Sequence, residues 1–423
     1  TRSGMSVNSA KVVFVGPDPL PAMGGGLTAI CSDGCGLSRA SFPGWESFGG
    51  TGTSSTSALL RLPGVRDRLE SQVEAIVVWK SSAEVEGIAR ELGIAVANSP
   101  ALIARRIENK SHFSRGAALA RLPIPPTKTG VAGPELRMAV RELPGPWVFQ
   151  LARGFSGEQS YLARSEIDLE QLVDRFEGRS CRISHEVAGT PVTVTGVVSR
   201  ERLLLGPACI QLTGLPSLTP HPLGSCGNDY GRPVPEPEAV REVALRTAEW
   251  LRLQGHLGVF GLDLVVGEDG GVWCIEVNPR LVASVPLFSL SARDLGVPGI
   301  LNHHLASFGI GESAATELEC HWSQVILYQR TDRLPDPLVR SGEGHYLDLG
   351  EFNSNGEMGL AGPSPGSAGL LVQARSRPGK ELARLIFEGP CSSPGGALLP
   401  KLDTLVQRIR SQLELGSGRQ DVS

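Results

Sequence analysis

Lysine, aromatic side chains and long apolar runs are all scarce in this chain of 423 residues. No stretch of about 18 apolar residues occurs, so we expect no membrane-spanning helix and no membrane partner. The formal net charge of -4 argues against a nucleic-acid partner, because contacts to phosphate need clustered positive charge. Only six of the 40 basic residues are lysine, so a lysine inside a motif is a stronger functional candidate than usual.

The eight cysteines lack the spacing of a structural metal site. No C-x-x-C pair occurs, and Cys31 and Cys35 form an isolated C-x₃-C with no partner nearby in the sequence. Zinc sites usually combine two such pairs. We therefore expect reduced thiols in a cytoplasmic protein, and the absence of a basic-then-apolar signal pattern agrees with that expectation.

Apolar and charged segments alternate in the first 105 residues. The predicted strands are residues 11–16, 75–79 and 93–97, and the predicted helices are residues 61–74 and 83–92. Alternating strands and helices predict a parallel sheet. Residues 24–57, rich in Gly, Ser and Thr, are predicted to form a long loop that binds substrate. Its Gly24–Gly26 run lacks the G-x-G-x-x-G pattern, so we predict no dinucleotide site there.

The middle of the chain, residues 106–310, has the most regular patterns. Predicted elements are a helix at 109–121, a strand at 146–151, a strand pair forming a hairpin within 180–200, a helix at 236–254, and strands at 259–266 and 272–277. The helix at 236–254 places apolar residues at helical spacing. Residues 267–271, Gly-Glu-Asp-Gly-Gly, have the composition of a tight hairpin turn. Residues 311–423 mix short strands with Gly/Pro-rich loops, a helix at 399–415 and a tail expected to be disordered.

The hairpin at 259–277 contains the residues that indicate chemistry. Side chains alternate across a strand, so Glu276 and Asn278 share a face, and a turn near Asp269 brings Asp263 within cross-strand reach of Glu276. Two carboxylates and an amide oxygen form a hard ligand set that suits Mg²⁺, which usually brings substrate phosphates with it. Arg280 is placed to stabilise transferred phosphoryl or acyl-phosphate charge.

The alternative interpretation of these acidic residues is a solvated strand face. Their neighbours are largely apolar, for example Leu262, Leu264 and Ile275, and an unpaired carboxylate in such surroundings is unfavourable. We therefore favour the metal site. His185, His256, His303 and His304 match no catalytic pattern, and we predict packing roles for them.

An Asp on one strand followed by Glu-Val-Asn-Pro-Arg on the next resembles the nucleotide-binding half of the ATP-grasp ligases, over roughly residues 106–310. The resemblance implies an α/β and α+β multidomain protein: a Rossmann-like pre-ATP-grasp domain (1–105), an ATP-grasp core (106–310) and a carboxy-terminal α+β domain (311–423). It also implies ATP with Mg²⁺ or Mn²⁺, Asp263, Glu276 and Asn278 as metal ligands, and Arg280 as the catalytic residue.

The same resemblance assigns residues to ATP. These are Lys110, Gln150, Gly154, Ser156, Gly157, Ser184, Glu186 and Val187. Lys110 matches the first phosphate-binding lysine of the family, and residues 154–157, Gly-Phe-Ser-Gly, match its glycine-rich flap. Two positions depart from the pattern: Gln150 replaces a second lysine, and Pro191 replaces an acidic residue that binds ribose. We expect Arg153 or Arg164 to compensate for the missing lysine.

Within the superfamily, the flap and the Glu-Val-Asn-Pro-Arg run resemble the peptide ligases of pheganomycin biosynthesis. This implies ligation of a guanidino-bearing amino acid to a peptide amine through an acyl phosphate, releasing ADP and phosphate in antibiotic biosynthesis. Expected partners are small amino-acid or peptide substrates and a second copy in a homodimer. The alternatives are carboxylase-like or kinase-like phosphoryl transfer and a non-catalytic ATP-binding scaffold.

Overall fold

The computed structural model describes residues 11–32, 45–48, 55–154, 159–312, 317–330, 347–348, 369–372 and 379–415. Within these ranges the chain forms three sheets, of five, nine and four strands. The helices of the same ranges include none that is long and apolar enough to cross a membrane. The cysteines found there are buried free thiols, which agrees with the expectation of reduced cysteine.

A parallel sheet forms the amino-terminal part. Its strands and helices are β1 (Val12–Val15), β2 (Thr28–Ser32), β3 (Trp45–Phe48), α1 (Thr56–Leu60), α2 (Pro63–Gln72), β4 (Ala75–Val77), α3 (Ala83–Glu91) and β5 (Ala95–Val96). The strand order is β3-β2-β1-β4-β5, and all neighbours are parallel, as predicted. The prediction of a continuous loop at 24–57 was wrong, because β2 and β3 lie within it. Both strands are too short for periodicity to identify, and they gain their hydrogen bonds from distant partners.

A smaller antiparallel sheet follows two helices. These elements are α4 (Ala101–Glu108), α5 (Lys110–Leu119), β6 (Thr127–Val131), α6 (Pro134–Val140), β7 (Trp147–Leu151), β8 (Ser160–Ala163), α7 (Glu166–Arg175) and β9 (Ser180–His185). The strand order is β6-β9-β7-β8. The Asn109 side chain caps α5 by accepting from the His112 N–H at 3.0 Å, so Lys110 occupies the first turn of that helix.

The nine-stranded antiparallel sheet contains the remaining strands and carries four helices. Its elements are β10 (Gly189–Val198), β11 (Leu203–Thr213), β12 (Ser225–Asp229), α8 (Pro237–Leu253), β13 (Gly258–Gly267), β14 (Val272–Asn278), α9 (Val285–Leu295), α10 (Ile300–Ala306), β15 (Trp322–Tyr328), β16 (Leu347–Asp348), β17 (Gly369–Val372), β18 (Glu381–Glu388) and α11 (Pro400–Leu415). The strand order is β14-β13-β10-β11-β12-β15-β18-β17-β16. Strands from residues 322–388 thus extend the sheet that contains β13 and β14.

Two local predictions in this sheet are confirmed. The apolar stripe of α8 is buried: Val240, Val243, Ala244, Ala248 and Leu251. The β13–β14 connection is a tight turn in which Gly270 has a φ of +79°, a conformation that favours glycine. The packed helix and the short turn hold β13 and β14 in a fixed register, which matters for the side chains that they carry.

The predicted hairpin within residues 180–200 was wrong. β9 pairs with β6 and β7 in the small sheet, whereas β10 pairs with β11 and β13 in the large one. Alternation of apolar residues predicts a strand but carries no information about its partner. The connection between β9 and β10, residues 186–188, therefore joins two sheets rather than turning within one.

His304 lies where the amino-terminal sheet meets the large sheet. Its Nδ1 accepts from the Val259 N–H at 3.0 Å, so Nε2 carries the ring proton and donates to the Ala97 carbonyl at 2.7 Å. Burial lowers the pKa of His304 to about 4, although the bond to Ala97 opposes that shift. Burial and the neighbouring His304 lower the pKa of His256 to about 3. We refer to these two residues as the histidine junction.

Candidate active site

Asp263 and Glu276 face each other across β13 and β14. They are register partners, and a bulge immediately after Asp263 shifts the pairing that follows. Asn278 is nearby, and its Nδ2 donates to Asp263 Oδ2 at 3.2 Å. The hairpin therefore brings together the three residues that were predicted as metal ligands.

Lys110 balances the charge of Glu276. Its Nζ lies 3.0 Å from Glu276 Oε2, and the lysine side chain is only 5% exposed. Burial acts to raise the pKa of Glu276, but Lys110, with Arg182 and Arg280, outweighs burial and holds that pKa below its usual range. An ion pair with a buried lysine keeps Glu276 ionised.

Asp263 is in a different electrostatic environment. Burial, with the adjacent Glu276, raises its pKa to about 6, although hydrogen bonds from Thr193 and Gln211 act in the opposite direction. Gln211 Nε2 donates to Asp263 Oδ1 at 2.7 Å, and Thr193 Oγ1 donates to the same oxygen at 3.2 Å. Arg280 also acts to lower this pKa, so burial and the neighbouring Glu276 outweigh the nearby positive charge and hydrogen bonds.

Thr193 and Gln211 were not among the predicted site residues. They lie on β10 and β11, and both interrupt apolar runs, Pro-Val-Thr-Val and Cys-Ile-Gln-Leu. A polar residue within an apolar strand is the same signal that identified Asp263. What the sequence did not reveal is that β10 lies between β13 and β11.

Arg280 is held by several partners. Its Nε donates to Glu108 Oε1 at 3.0 Å, its Nη2 donates to Asn278 Oδ1 at 2.9 Å, and its guanidinium lies 5.5 Å from the centroid of the Trp79 ring. Glu108 also pairs with Lys80. These contacts fix the planar group at the edge of the site.

A hard divalent cation fits this set of donors. Asp263 and Glu276 are adjacent carboxylates, and the pKa of Asp263 is raised. A bound cation would offset the repulsion between them. The amide of Asn278 now presents its nitrogen to Asp263 and its oxygen to Arg280. To offer the oxygen to a cation beside Asp263, this amide must rotate and exchange those two hydrogen bonds for the metal bond.

The small sheet forms the opposite wall of the site. Gln150, Gly154, Ser184, Glu186 and Val187 face the same cavity as the β13–β14 residues. The remaining flap residues of the prediction, Ser156 and Gly157, lie outside the described residues. Glu186 of this wall pairs with the exposed Arg164 at 3.2 Å.

The guanidinium that contacts Gln150 is neither of the two that we expected. Arg182 Nε donates to Gln150 Oε1 at 3.1 Å, and its Nη2 donates to the same oxygen. Arg164 pairs with Glu186 instead, and Arg153 is exposed. Strand pairing places Arg182 beside Gln150 although 32 residues separate them in sequence, so no local motif announced this contact.

One cavity of about 330 Å³ joins both walls. Among the residues that line it are Lys110, Gln150, Gly154, Ser184, Glu186, Val187, Pro191, Asp263, Glu276, Asn278 and Arg280. The described residues that were predicted to bind ATP or the metal, and Arg280, are therefore all at this cavity, whereas Arg153, Arg164 and the described part of residues 24–57 do not line it; the individual roles remain predictions.

Comparisons with known proteins agree with this architecture. Residues 108–284 match the ATP-grasp domain family. Carboxyaminoimidazole ribonucleotide synthase from Aspergillus clavatus, solved with ATP, has a TM-score of 0.63 at 15% identity, covering 95% of this chain and 100% of that one. The chain has the ATP-grasp fold.

Two further solved structures have a fold similar to that of this chain. N5-carboxyaminoimidazole synthetase from Staphylococcus aureus, complexed with ADP, gives a TM-score of 0.61 at 12% identity and covers 95% of this chain and 96% of that one. Biotin carboxylase from Campylobacter jejuni gives 0.63 at 12% identity, covering 90% and 87%. No curated protein matches the sequence. The matched ATP-grasp segment includes all the predicted site residues, from Lys110 to Arg280.

Proposed function

We propose that this protein is an ATP-dependent carboxylate–amine ligase. The observation that carries the proposal is one cavity in which Asp263, Glu276 and Asn278 face a wall containing Gln150 and Gly154. An acidic metal site opposite a glycine-containing loop is suited to a nucleoside triphosphate with its divalent cation. The ATP-grasp fold supports the same assignment.

Each residue has a role in this proposal. Asp263, Glu276 and Asn278 hold Mg²⁺ or Mn²⁺, which supplies the charge that screens the ATP phosphates from an incoming carboxylate. Lys110 reaches the phosphates from the first turn of α5. Arg280, held by Glu108, stabilises negative charge on the acyl group. Gln150, Gly154, Ser156, Gly157, Ser184, Glu186 and Val187 bind ATP.

The reaction proceeds in two displacements. A substrate carboxylate oxygen attacks the γ-phosphorus of ATP, and the bond to the β-phosphate oxygen breaks, releasing ADP. The amine nitrogen then attacks the acyl-phosphate carbonyl, loses a proton and displaces phosphate. No protein nucleophile takes part. Closure of the loop that contains Gly154 keeps water from the acyl phosphate.

The substrates proposed are an amino acid, guanidino-bearing in the narrowest form of the proposal, and a peptide amine in natural-product biosynthesis. The flap sequence and the Glu-Val-Asn-Pro-Arg run support this finer assignment by their resemblance to peptide ligases. A cytoplasmic homodimer with three domains, at 1–105, 106–310 and 311–423, is proposed on the same basis.

The test is to incubate the protein with ATP, Mg²⁺ and pooled amino acids and peptides. We expect ADP, phosphate and a product whose mass equals acid plus amine minus water. Formation of AMP would contradict an acyl-phosphate ligase. Phosphate release that requires bicarbonate and gives no condensed product would indicate the carboxylase alternative, and nucleotide binding without substrate-dependent phosphate release would indicate a scaffold.

A further inference from the structure

Three polar side chains form a row across the small sheet beside the flap. Gln150 on β7 is the register partner of Arg182 on β9 and of Ser160 on β8. Directly opposed residues of antiparallel strands point to the same face. Gln150 and Ser160 line the cavity, whereas Arg182, at the other end of the row, is buried with 4% of its surface exposed.

The direction of hydrogen bonding along this row is fixed by the arginine. A guanidinium can only donate, so the oxygen of Gln150 must face Arg182. The amide nitrogen of Gln150 must then face away, and it donates to Ser160 Oγ at 3.0 Å. Ser160 accepts that bond and keeps its own hydroxyl proton. The second N–H of Gln150 and the hydroxyl of Ser160 are therefore the donors that the row can offer to an anion in the cavity.

A purely architectural role for Arg182 is the alternative. Its Nη1 donates to the Ile275 carbonyl at 2.9 Å, which ties β9 to β14 across the two walls. Such a bond stabilises the packing of the sheets whatever the cavity binds. The two contacts from Arg182 to Gln150 are not needed for that packing. They fix the orientation of an amide in the cavity wall.

We propose that Arg182 is a positioning residue for the phosphates of the nucleotide: it orients Gln150 and Ser160 as donors and supplies positive charge from the neighbouring strand. This inference rests on the proposed function, in which the cavity takes ATP. Hydrogen bonds polarised by an ionised donor are stronger than neutral ones. The row thus compensates for the neutral side chain at position 150.

The test measures binding of MgADP to the full chain by calorimetry, together with the thermal unfolding midpoint. Arg182→Gln removes the charge and is expected to raise the dissociation constant about tenfold or more. The double variant Gln150→Lys with Arg182→Gln places one cation and one amide in the same two register positions. We expect it to bind within about threefold of the unchanged protein, because it restores charge to the row.

Two further variants keep the test decisive if Arg182→Gln folds poorly. Gln150→Glu retains the acceptor that Arg182 needs, so the unfolding midpoint should hold or rise, while MgADP binding should weaken more than about tenfold because a donor becomes an anion. Arg137→Gln is the matched control, since it removes an arginine of the same subdomain that pairs with Asp174 away from the cavity. It should leave MgADP binding unchanged.

Equal MgADP affinity for Arg182→Gln and the unchanged protein would overturn the inference. A double variant that binds as weakly as Arg182→Gln would also overturn it, because that result assigns Arg182 to packing alone. If the unchanged protein fails to bind MgADP, the proposed function itself fails, which is a different result from wild-type binding with insensitive variants.

Discussion

The cavity and the histidine junction are both buried groups of titratable side chains, yet they differ in charge. In the cavity, Glu276 is ionised against Lys110 at 3.0 Å, with Arg182 and Arg280 close by. At the junction, burial lowers the pKa of His304 to about 4, so that it stays neutral between two backbone groups. Lys110 and His304 are both buried, so burial by itself does not determine the charge state of a region.

The difference lies in the partners that each region supplies. A charged group remains charged in the interior only when opposite charge and hydrogen bonds replace its water. The cavity supplies cations to Glu276. The pKa of Asp263 stays raised, which a bound divalent cation would lower. The junction offers a backbone donor and a backbone acceptor, which a neutral imidazole satisfies. The partners in the cavity keep Glu276 charged, whereas the partners at the junction between the two sheets suit an uncharged His304.

The largest expected effect tests the cavity. Glu276→Gln removes an anionic metal ligand but keeps a hydrogen-bond acceptor for Lys110, so we expect turnover to fall on the order of 10³-fold or more while the fold persists. Substrate-dependent phosphate release and circular dichroism measure the two quantities. Glu142→Gln, which alters an exposed ion pair with Lys128, serves as the control. Undiminished turnover in Glu276→Gln would remove the metal site from the mechanism.

The second prediction concerns the junction and its pH dependence. The unfolded chain protonates histidine near pH 6.5, whereas folded His304 resists protonation until about pH 4, so the unfolded state binds more protons between these values. Stability contributed by His304 is therefore lost as the pH falls, by about 3 kcal/mol at pH 4. The neighbouring His256 acts in the same direction.

Because carboxylates titrate over the same range, the measurement is a difference. Urea unfolding of the wild type and of His304→Gln is compared between pH 7 and pH 4. The variant should lose less stability over this interval, while His185→Gln, which alters a partly buried histidine outside the junction, should follow the wild type. If the stabilities of His304→Gln and the wild type change in parallel with pH, then burial does not lower the pKa of His304 as expected.

The third prediction breaks the ion pair of the cavity. Lys110→Met leaves Glu276 with Arg182 and Arg280 as its remaining cations, and Glu276 is 26% exposed, so we expect a loss of about 2 kcal/mol of stability rather than the larger value of a fully buried pair. The double variant with Glu276→Gln should regain part of this stability. Denaturant unfolding measures it, and a double variant no more stable than Lys110→Met would show that the pair is not coupled.

The sequence predicted those parts of the site that one hairpin supplies. Asp263, the 267–271 turn and Glu276 lie within 14 positions of one another, so alternation and turn composition were enough to place them in register. The apolar stripe of α8 was predictable for the same reason, since helical spacing is a local property.

Contacts between distant strands could not be predicted. Gln150 was identified as a departure from the family pattern, but its partner Arg182 depends on the pairing of β7 with β9. The hairpin expected at 180–200 failed because periodicity does not specify a partner, and β9 and β10 belong to different sheets. Gln211 on β11 reaches Asp263 on β13 because only one strand, β10, lies between them in the sheet.

The fourth prediction concerns Gln211, whose amide donates to Asp263 at 2.7 Å. Gln211→Leu removes a donor that orients the carboxylate, and outer partners of a metal ligand typically contribute about 10-fold to 100-fold to metal affinity or activity. We expect the apparent Mg²⁺ requirement of turnover to rise by about tenfold. Gln171→Leu, on the exposed surface of α7, should not change it. An unchanged requirement in Gln211→Leu would place Asp263 outside the metal site.

The smallest expected effect compares an exposed arginine, which pairs with a residue of the cavity wall, with the buried Arg182. Arg164 pairs with Glu186 but is 65% exposed. When its guanidinium is removed, water can solvate the Glu186 carboxylate in its place. Arg164→Ala should change MgADP affinity by less than about threefold, because exposed ion pairs contribute little. Calorimetry under the conditions used for Arg182→Gln makes the two directly comparable. A tenfold loss in Arg164→Ala would mean that an exposed side chain compensates for Gln150, and that burial of Arg182 serves the packing of β9 on β14 instead.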